Sequence, residues 1–144
     1  MRKPRRIAVI AQNATKVRRK PRKKGEIAKL KIKLWELCRQ LTKKEWGDSC
    51  YTCGRVVTKG MHTGHYITSS TCSIPLRYEK RNLKPQCYHC NINLSGNWPS
   101  YMKRMESEHP GITFALTEIN EATKGKTYNK EWFERKIAEY QAML

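Results

Sequence analysis

The sequence has few acidic residues and no long apolar run. Of its 144 residues, 12 are Asp or Glu and 30 are Lys or Arg, which gives a formal net charge of +18. No run reaches the length of about 18 apolar residues that a membrane span requires. The N-terminus also lacks the apolar core of a signal peptide, because "IAVIA" is short and is followed by "TKVRRKPRKK". We therefore expect an intracellular chain that enters no membrane and that binds a polyanion, most obviously nucleic acid.

The positive charge is concentrated at the start of the chain. Residues 1–25 contain 11 Lys or Arg and no acid, whereas residues 118–144 contain five basic and five acidic residues. We interpret residues 1–25 as a flexible basic arm that follows a phosphate backbone without choosing a sequence. The alternative is a solubility tail or a solvated charged face. The arm residues assigned to nucleic-acid binding are Arg5, Arg6, Arg18, Arg19, Lys20, Arg22, Lys23 and Lys24.

Apolar periodicity predicts helices on both sides of a central irregular region. The first helix covers residues 26–46, and its apolar stripe consists of Ile27, Leu30, Leu34, Cys38 and Leu41. The last helix is capped by Asn129, and its stripe consists of Trp132, Phe133, Ile137, Tyr140 and Leu144. This second stripe is either part of the core or a seam for a partner. We place Cys38 in the core, because free cysteine is usually buried.

The central region is predicted to contain a hairpin, a loop and further helices. A short strand after Cys53, a turn at Lys59-Gly60 and a second strand ending near His65 form the hairpin. Residues 68–86 read as a polar loop. After Cys90 we expect a helix that is interrupted near "SGNWPS" and stopped by Pro110-Gly111, followed by a helix in "ITFALTEINEA".

Two Cys-x-x-Cys units predict a metal site. They are Cys50-x-x-Cys53 and Cys87-x-x-Cys90, separated by 33 residues. In a reducing compartment such units are metal ligands more often than disulfides. Four thiolates suit one tetrahedral zinc ion per chain, and this closed shell leaves no position for a catalytic water. The zinc is therefore expected to be structural, and any chemistry must come from other residues.

A histidine and two asparagines supply the candidate chemistry. His65 ends the predicted hairpin and can accept a proton near neutral pH. Asn82 and Asn91 follow it, and amide oxygen suits a hard ion such as Mg²⁺. Phosphodiester hydrolysis needs such a base and such an ion. The alternatives are a strand histidine, a loop asparagine, and an asparagine that caps the helix after the knuckle.

The joint pattern "C-x-x-C … GHY … N-x-x-P-Q-C-x-x-C-N … SGN" resembles the HNH, or His-Me finger, nucleases of treble-clef type. It is most similar to the NinG (Rap) recombination proteins of lambdoid phages, which carry similar "GHY", "LRF"-like, "QC-x-x-C-N" and "LSGN" segments; here the second is "LRY". The segment "CYHCNINLSG" is also similar to the phage endonuclease VII resolvases. The resemblance covers roughly residues 26–105.

The resemblance implies a fold class and an activity. The fold would be α+β, with a zinc-bound treble-clef (ββα-metal) core in residues 26–111 and a C-terminal helical extension in residues 112–144. His65 would be the general base, Asn82 would hold the loop that carries it, and Asn91 would ligate a catalytic Mg²⁺ or Mn²⁺. The activity would be cleavage of branched DNA, such as D-loops and Holliday junctions, by a phage-encoded protein in the cytoplasm of its host. No small-molecule cofactor is expected.

One position departs from the family pattern. Many HNH enzymes carry a second metal ligand immediately before the base, but this residue is Gly64, which has no side chain. His62 is the nearest substitute, and a bulge at Gly64 would turn it towards the metal. For Asn97 we favour capping of the helix at "GNWPS". The basic residues expected to contact phosphates near the site are Arg77, Lys80, Arg81 and Lys84.

Two other functions compete with the nuclease. A non-catalytic zinc-finger module that binds nucleic acid would keep the fold and charge, and the missing ligand at Gly64 favours it. RNA is a third option that the charge leaves open. Resolution of a junction needs two cuts, so a homodimer is expected if junctions are the substrate.

Overall fold

The computed structural model describes residues 25–144, so the basic arm and its eight assigned residues lie outside the described part. The chain forms five α-helices and two strands in this part. The helices are α1 (Glu26–Trp46), α2 (Ile74–Arg77), α3 (Trp98–Glu108), α4 (Ile112–Thr123) and α5 (Lys130–Ala142), and the strands are β1 (His62–His65) and β2 (Leu83–Gln86). A 3₁₀ turn (Lys80–Asn82) precedes β2, and a π-helical turn (His89–Asn93) follows it. None of the helices in this part is long and apolar enough to cross a membrane.

Helix α1 has the predicted bounds and buries the predicted face. Leu34, Cys38 and Leu41 are buried, and the Cys38 thiol donates to the carbonyl oxygen of Tyr78. Gly47 ends the helix with a φ of 68°, a left-handed conformation that glycine adopts without strain. The buried stripe does not begin at Ile27, which is 40% exposed.

Helix α5 packs against α1 and completes the main core. Phe133, Ile137 and Tyr140 are buried in one cluster with α1 residues, Tyr78 and Leu83. Asn129 caps the helix as predicted, since its Oδ1 accepts a hydrogen bond from the amide of Trp132. The stripe is therefore core, and the suggestion that it forms a dimer seam is wrong. Leu144, which the stripe included, is exposed.

The predicted hairpin is wrong. Strand β1 pairs antiparallel with β2, which comes from the region predicted to be a loop, and His65 lies opposite Leu83. Before β1, Ser49 and Val56 form an isolated β-bridge. The Cys50-x-x-Cys53 segment between them folds back, because the Cys50 amide donates to the Arg55 carbonyl. The sequence did not indicate β2 as a strand, because β2 contains a proline, which removes one amide donor.

The helices after Cys90 follow the prediction. The first stretch is a π-helical turn. The helical conformation is then interrupted at Ser95, Gly96 and Asn97, whose φ values are all positive. Helix α3 and helix α4 follow, and their buried residues form a second cluster with residues before them. This cluster consists of Tyr51, Tyr66, Leu76, Tyr101, Met105 and Leu116.

The packing of α5 on α1 predicts a large loss of stability in Phe133→Ala. Phe133 is 0% exposed, so truncation leaves a cavity and should cost about 3–5 kcal/mol in the free energy of unfolding. Phe114→Ala is the matched control, since Phe114 is 66% exposed and its loss should change stability by less than about 0.5 kcal/mol. Urea unfolding measures both. Equal effects would contradict the assigned core.

Candidate functional site

Four cysteine side chains form a cluster that could hold one metal ion. The Sγ atoms of Cys50, Cys53, Cys87 and Cys90 all lie within 4.8 Å of one another. The Cys53 and Cys87 sulfurs are 3.8 Å apart. Four sulfurs at about 2.3 Å from a tetrahedral zinc ion would be about 3.8 Å from one another. The donor set and its spacing therefore fit zinc.

Hydrogen bonds favour the thiolate form of Cys50, whereas burial raises the pKa of the neighbouring Cys53 to about 12. Burial raises the pKa of Cys50, but hydrogen bonds from the Thr52 hydroxyl and from nearby backbone amides outweigh it and lower the pKa to about 6. The Cys90 amide faces the Cys87 sulfur at 3.5 Å. The Asn97 amide nitrogen faces the Cys90 sulfur at the same distance. Asn97 therefore supports the cluster, and the prediction that its side chain caps α3 is wrong, since it makes no capping hydrogen bond.

An open groove of about 1050 Å³ brings together the candidate chemical residues. His62 and His65 of β1 line it, as does Asn91, the residue after the last cysteine. Asn91 sits there because its amide bonds to the Cys87 carbonyl within the π-helical turn. Helix α1 forms the opposite wall through Trp35 and neighbouring residues.

His65 is held with one ring nitrogen occupied. Its Nε2 lies 3.0 Å from the carbonyl oxygen of Arg77. A carbonyl oxygen only accepts hydrogen bonds, so Nε2 must carry the proton and Nδ1 keeps the lone pair in the neutral ring. Within residues 25–144, Nδ1 has no hydrogen-bond partner. This is the arrangement that a histidine base requires.

Trp35 keeps His65 in place and neutral. The two rings are stacked, with centroids 5.2 Å apart and planes 6° from parallel. Burial lowers the pKa of His65, the Arg77 carbonyl partly opposes this by raising it, and the Arg77 charge lowers it further. The ring is therefore uncharged at neutral pH. Sequence reasoning missed this contact.

Asn82 fixes the loop that follows His65. Its side chain is fully buried. Its Oδ1 accepts from the amide of Ile67, and its Nδ2 donates to the carbonyl oxygens of Ile67 and Leu76. All of its hydrogen bonds are thus internal, and it does not line the groove. Asn82 can position His65 but cannot touch a substrate.

Asn91 and His62 are in direct contact. Asn91 Nδ2 lies 3.0 Å from His62 Nδ1. In this orientation the amide donates and the imidazole nitrogen accepts, and Asn91 Oδ1 has no hydrogen-bond partner within residues 25–144. His62 therefore lies beside Asn91, as a second metal ligand would. A regular strand would turn His62 and His65 to opposite faces, yet both line the groove.

The structure explains why residue 64 is glycine. A Cβ atom there would lie 2.1 Å from Oε1 of Gln86, so a side chain would fit only if Gln86 moved. Gln86 is fully buried and is fixed by hydrogen bonds from Nε2 to Thr52 Oγ1 and to the Gly96 carbonyl. The Gly64 carbonyl accepts from the Tyr101 hydroxyl. Gly64 therefore offers the groove neither a side chain nor an uncommitted carbonyl.

The basic residues divide between two places. Arg77 lines the groove, together with Lys31 and Arg39 of α1, which sequence reasoning missed. Their positions on the face of α1 that carries Trp35 could have indicated them. Lys80, Arg81 and Lys84 do not line the groove; they line a second, smaller pocket. Their predicted contact with phosphates stays a prediction, at a place apart from the groove.

NMR titration of the His65 imidazole tests how the stacked Trp35 ring affects its pKa. We expect a pKa below the ordinary 6.5 in the wild-type protein and a rise towards 6.5 in Trp35→Ala, which lets water reach the ring. Because the folded-state pKa is the lower one, His65 also removes stability as the pH falls through 6.5. Trp98→Ala, which removes a half-exposed tryptophan that stacks on Tyr66, should leave this pKa unchanged. A wild-type value above 6.5 would contradict the assigned environment.

Comparison with known proteins identifies the family. The family model described as "Bacteriophage Lambda NinG protein" matches residues 1–144. The chain is similar to protein ninG of Salmonella phage P22, at 35% identity over 95 residues, which cover 66% of this chain and 45% of that protein. It is similar to protein ninG of Escherichia phage lambda, at 36% identity over 52 residues, which cover 36% of this chain and 25% of that protein.

These matches cover less than half the length of each relative. No solved structure matches the chain significantly. The expected resemblance to NinG proteins is nevertheless confirmed, because the family model extends over every residue. The chain belongs to the bacteriophage lambda NinG family.

Proposed function

We propose that this chain is a metal-dependent DNA endonuclease of the HNH, or His-Me finger, type, built on a treble-clef zinc core. The observation that carries the proposal is the state of His65. Its Nε2 is bound to a carbonyl oxygen, its Nδ1 has no partner within residues 25–144, and it shares a groove with Asn91. A half-buried, neutral, oriented histidine in one groove with an amide side chain is suited to general-base chemistry.

In this proposal the four cysteines hold a structural zinc ion. Every sulfur would be a ligand, so the ion would have no open position. Its role would be to join the first Cys-x-x-Cys unit, residues 50–53, to the segment formed by β2 and the π-helical turn. Asn91 directly follows the last ligand, so the same ion would fix its position.

A second, divalent ion would be held at Asn91. Its Oδ1 is an oxygen acceptor without a protein partner among the described residues, which fits the preference of Mg²⁺ and Mn²⁺. His62 would hold the Asn91 amide in this orientation. His62 itself would ligate only after a change of tautomer, since its Nδ1 accepts from Asn91. When bound, the ion would neutralise charge on the phosphate.

The protein side chains supply the remaining parts of the reaction. His65 Nδ1 takes a proton from a water molecule as that water attacks the phosphorus. The bond from phosphorus to the leaving oxygen breaks, and that oxygen receives a proton from solvent. Lys31, Arg39 and Arg77 would hold the flanking phosphates along the groove wall.

We further propose that the substrate is branched DNA, such as a D-loop or Holliday junction, formed during phage recombination. The resemblance to His-Me finger resolvases and the net charge of +18 support this. Two cuts at one junction would require a homodimer, whose surface would have to lie outside the α1–α5 contact. The basic arm, residues 1–25, would add affinity that falls steeply with salt.

The main alternative is a non-catalytic zinc module that binds nucleic acid. The geometry of residue 64 favours it, because Gln86 fills the space in which many family members carry a second metal ligand. A protein without catalysis would retard DNA in gels but leave it intact in Mg²⁺ and in Mn²⁺. RNA is tested by competition between branched DNA and structured RNA.

Cleavage is tested with linear, flapped, D-loop and four-way DNA, with and without Mg²⁺ or Mn²⁺. The wild-type protein should nick branched DNA only when the metal is present. His65→Ala should lower the rate about 10²–10⁴-fold, because the water then has no base. His89→Ala is the matched control; His89 is exposed within the second knuckle and should be dispensable. Full activity of His65→Ala would remove His65 from the mechanism.

The metal cluster is tested by elemental analysis of freshly reduced protein. We expect about one zinc per chain, lost together with folding in Cys87→Ser, because structural zinc contributes directly to folding. Cys72→Ser should keep both zinc and fold, since Cys72 lies outside the cluster. Absence of zinc from wild-type protein would remove this part of the proposal.

A further inference from the structure

A second pocket lies apart from the groove. It has a volume of about 300 Å³ and is lined by Lys84 of β2. The pocket shares no lining residue with the groove that holds His65 and Asn91. The two are therefore separate sites.

The pocket contains a buried cation. Lys84 is only 6% exposed. Its Nζ lies 4.4 Å from the ring centroid of Trp46 and 5.7 Å from that of Tyr51. Within residues 25–144, this ammonium group makes no hydrogen bond and no ion pair. The aromatic faces attract it but provide no oxygen or nitrogen acceptor.

The nearby carboxylates are already paired with other cations. Glu45 pairs with Lys80 at 3.2 Å, and Glu108 pairs with Arg104 at 2.7 Å while also accepting from the Tyr51 hydroxyl. Lys84 is thus the cation left over in this part of the structure. A buried charge without a partner is costly, and a ligand with an acceptor atom would relieve that cost.

The lining specifies the chemistry of that ligand. Trp46, Met105 and Ile112 provide apolar and aromatic walls. Lys80 and Arg81 also line the pocket, and their ion pairs with Glu45 and Glu79 are solvent-accessible, so a phosphate can compete for both cations. The volume is at the lower end of the roughly 300–1,000 Å³ of small-molecule pockets, so it suits one planar group. A flat ring with acceptor atoms, joined to a phosphate, matches all three features.

We propose that this pocket binds one unpaired nucleotide of a DNA strand. The base lies against the aromatic wall with an oxygen or ring nitrogen accepting from Lys84 Nζ, and its phosphate meets Lys80 and Arg81. For its ligand this inference rests on the proposed function. Aromatic walls bind unpaired bases of any sequence, because every base has a flat face.

The position of the pocket gives it a role in choosing the substrate. Duplex DNA would lie in the groove, and an unpaired strand would reach the separate pocket. A plain duplex has no unpaired base to offer. Engagement of both sites therefore favours DNA at a branch or flap over continuous duplex.

The test is a binding measurement on the full chain without Mg²⁺ or Mn²⁺, so no cleavage is needed. The probes are a blunt duplex and the same duplex with a single-stranded flap that contains 2-aminopurine next to the branch. Lys84→Met removes the charge and keeps the apolar stem. Lys103→Met is the matched control, because Lys103 is an exposed lysine on α3 that lines neither pocket. Thermal melting checks that each variant is folded.

We expect Lys84→Met to weaken flap binding about tenfold, to leave duplex binding like that of Lys103→Met, and to abolish the 2-aminopurine fluorescence change seen with wild type. Lys84→Gln should behave in the same way and decides the matter if the Met variant does not fold. Equal losses in the Lys84 and Lys103 variants, or no 2-aminopurine response in wild type, would overturn the proposal. Flap preference without any cleavage would leave the pocket standing and count against the nuclease alone.

Discussion

The close approach of four cysteine sulfurs is the contact on which the candidate site depends. Cys50 and Cys53 follow α1, whereas Cys87 and Cys90 follow β2, so the cluster joins two distant parts of the chain. Chain order then places Asn91 directly after the last sulfur. The two-stranded sheet is too small to fix these segments by backbone hydrogen bonds alone. A metal bound by the sulfurs would supply the missing constraint.

Helix α1 contributes to both sites. Through Trp35 it stacks on His65, and the partial burial of that ring lowers its pKa. Through Trp46 at its other end it contacts Lys84 in the second pocket. Helix α5 packs against α1 and buries Phe133, Ile137 and Tyr140 in the core that the two helices share. Helix α1 therefore forms part of both sites, and helix α5 stabilises the position of α1.

Local patterns in the sequence predicted some features well. The bounds of α1, the Asn129 cap and the break before α3 follow from apolar periodicity and from the conformations that short polar residues and glycine favour. The cysteine cluster follows from ligand spacing. By contrast, the pairing of β1 with β2 depends on contacts between segments about twenty residues apart, and Pro85 conceals the second strand. No local pattern specifies such a pairing.

The side-chain contacts of the site were least accessible from the sequence. The stack of Trp35 on His65 and the contact of His62 with Asn91 exist only because the fold brings separate elements together. The glycine at position 64 looked like a missing ligand, yet the structure gives it a packing reason in Gln86. A residue that departs from a family pattern can thus be explained by its neighbour across the sheet.

The central claim is that Cys90 is a ligand of a structural metal, whereas the next residue, Asn91, is a ligand of a separate catalytic metal. Titration of zinc-loaded protein with Mn²⁺, followed by electron paramagnetic resonance, tests it most directly. Wild-type protein should bind one Mn²⁺, Asn91→Ala should lose that ion and keep its zinc, and Asn93→Ala, which removes a neighbouring exposed amide, should bind as wild type does. Mn²⁺ binding that survives Asn91→Ala, or loss of zinc from that variant, would contradict the account.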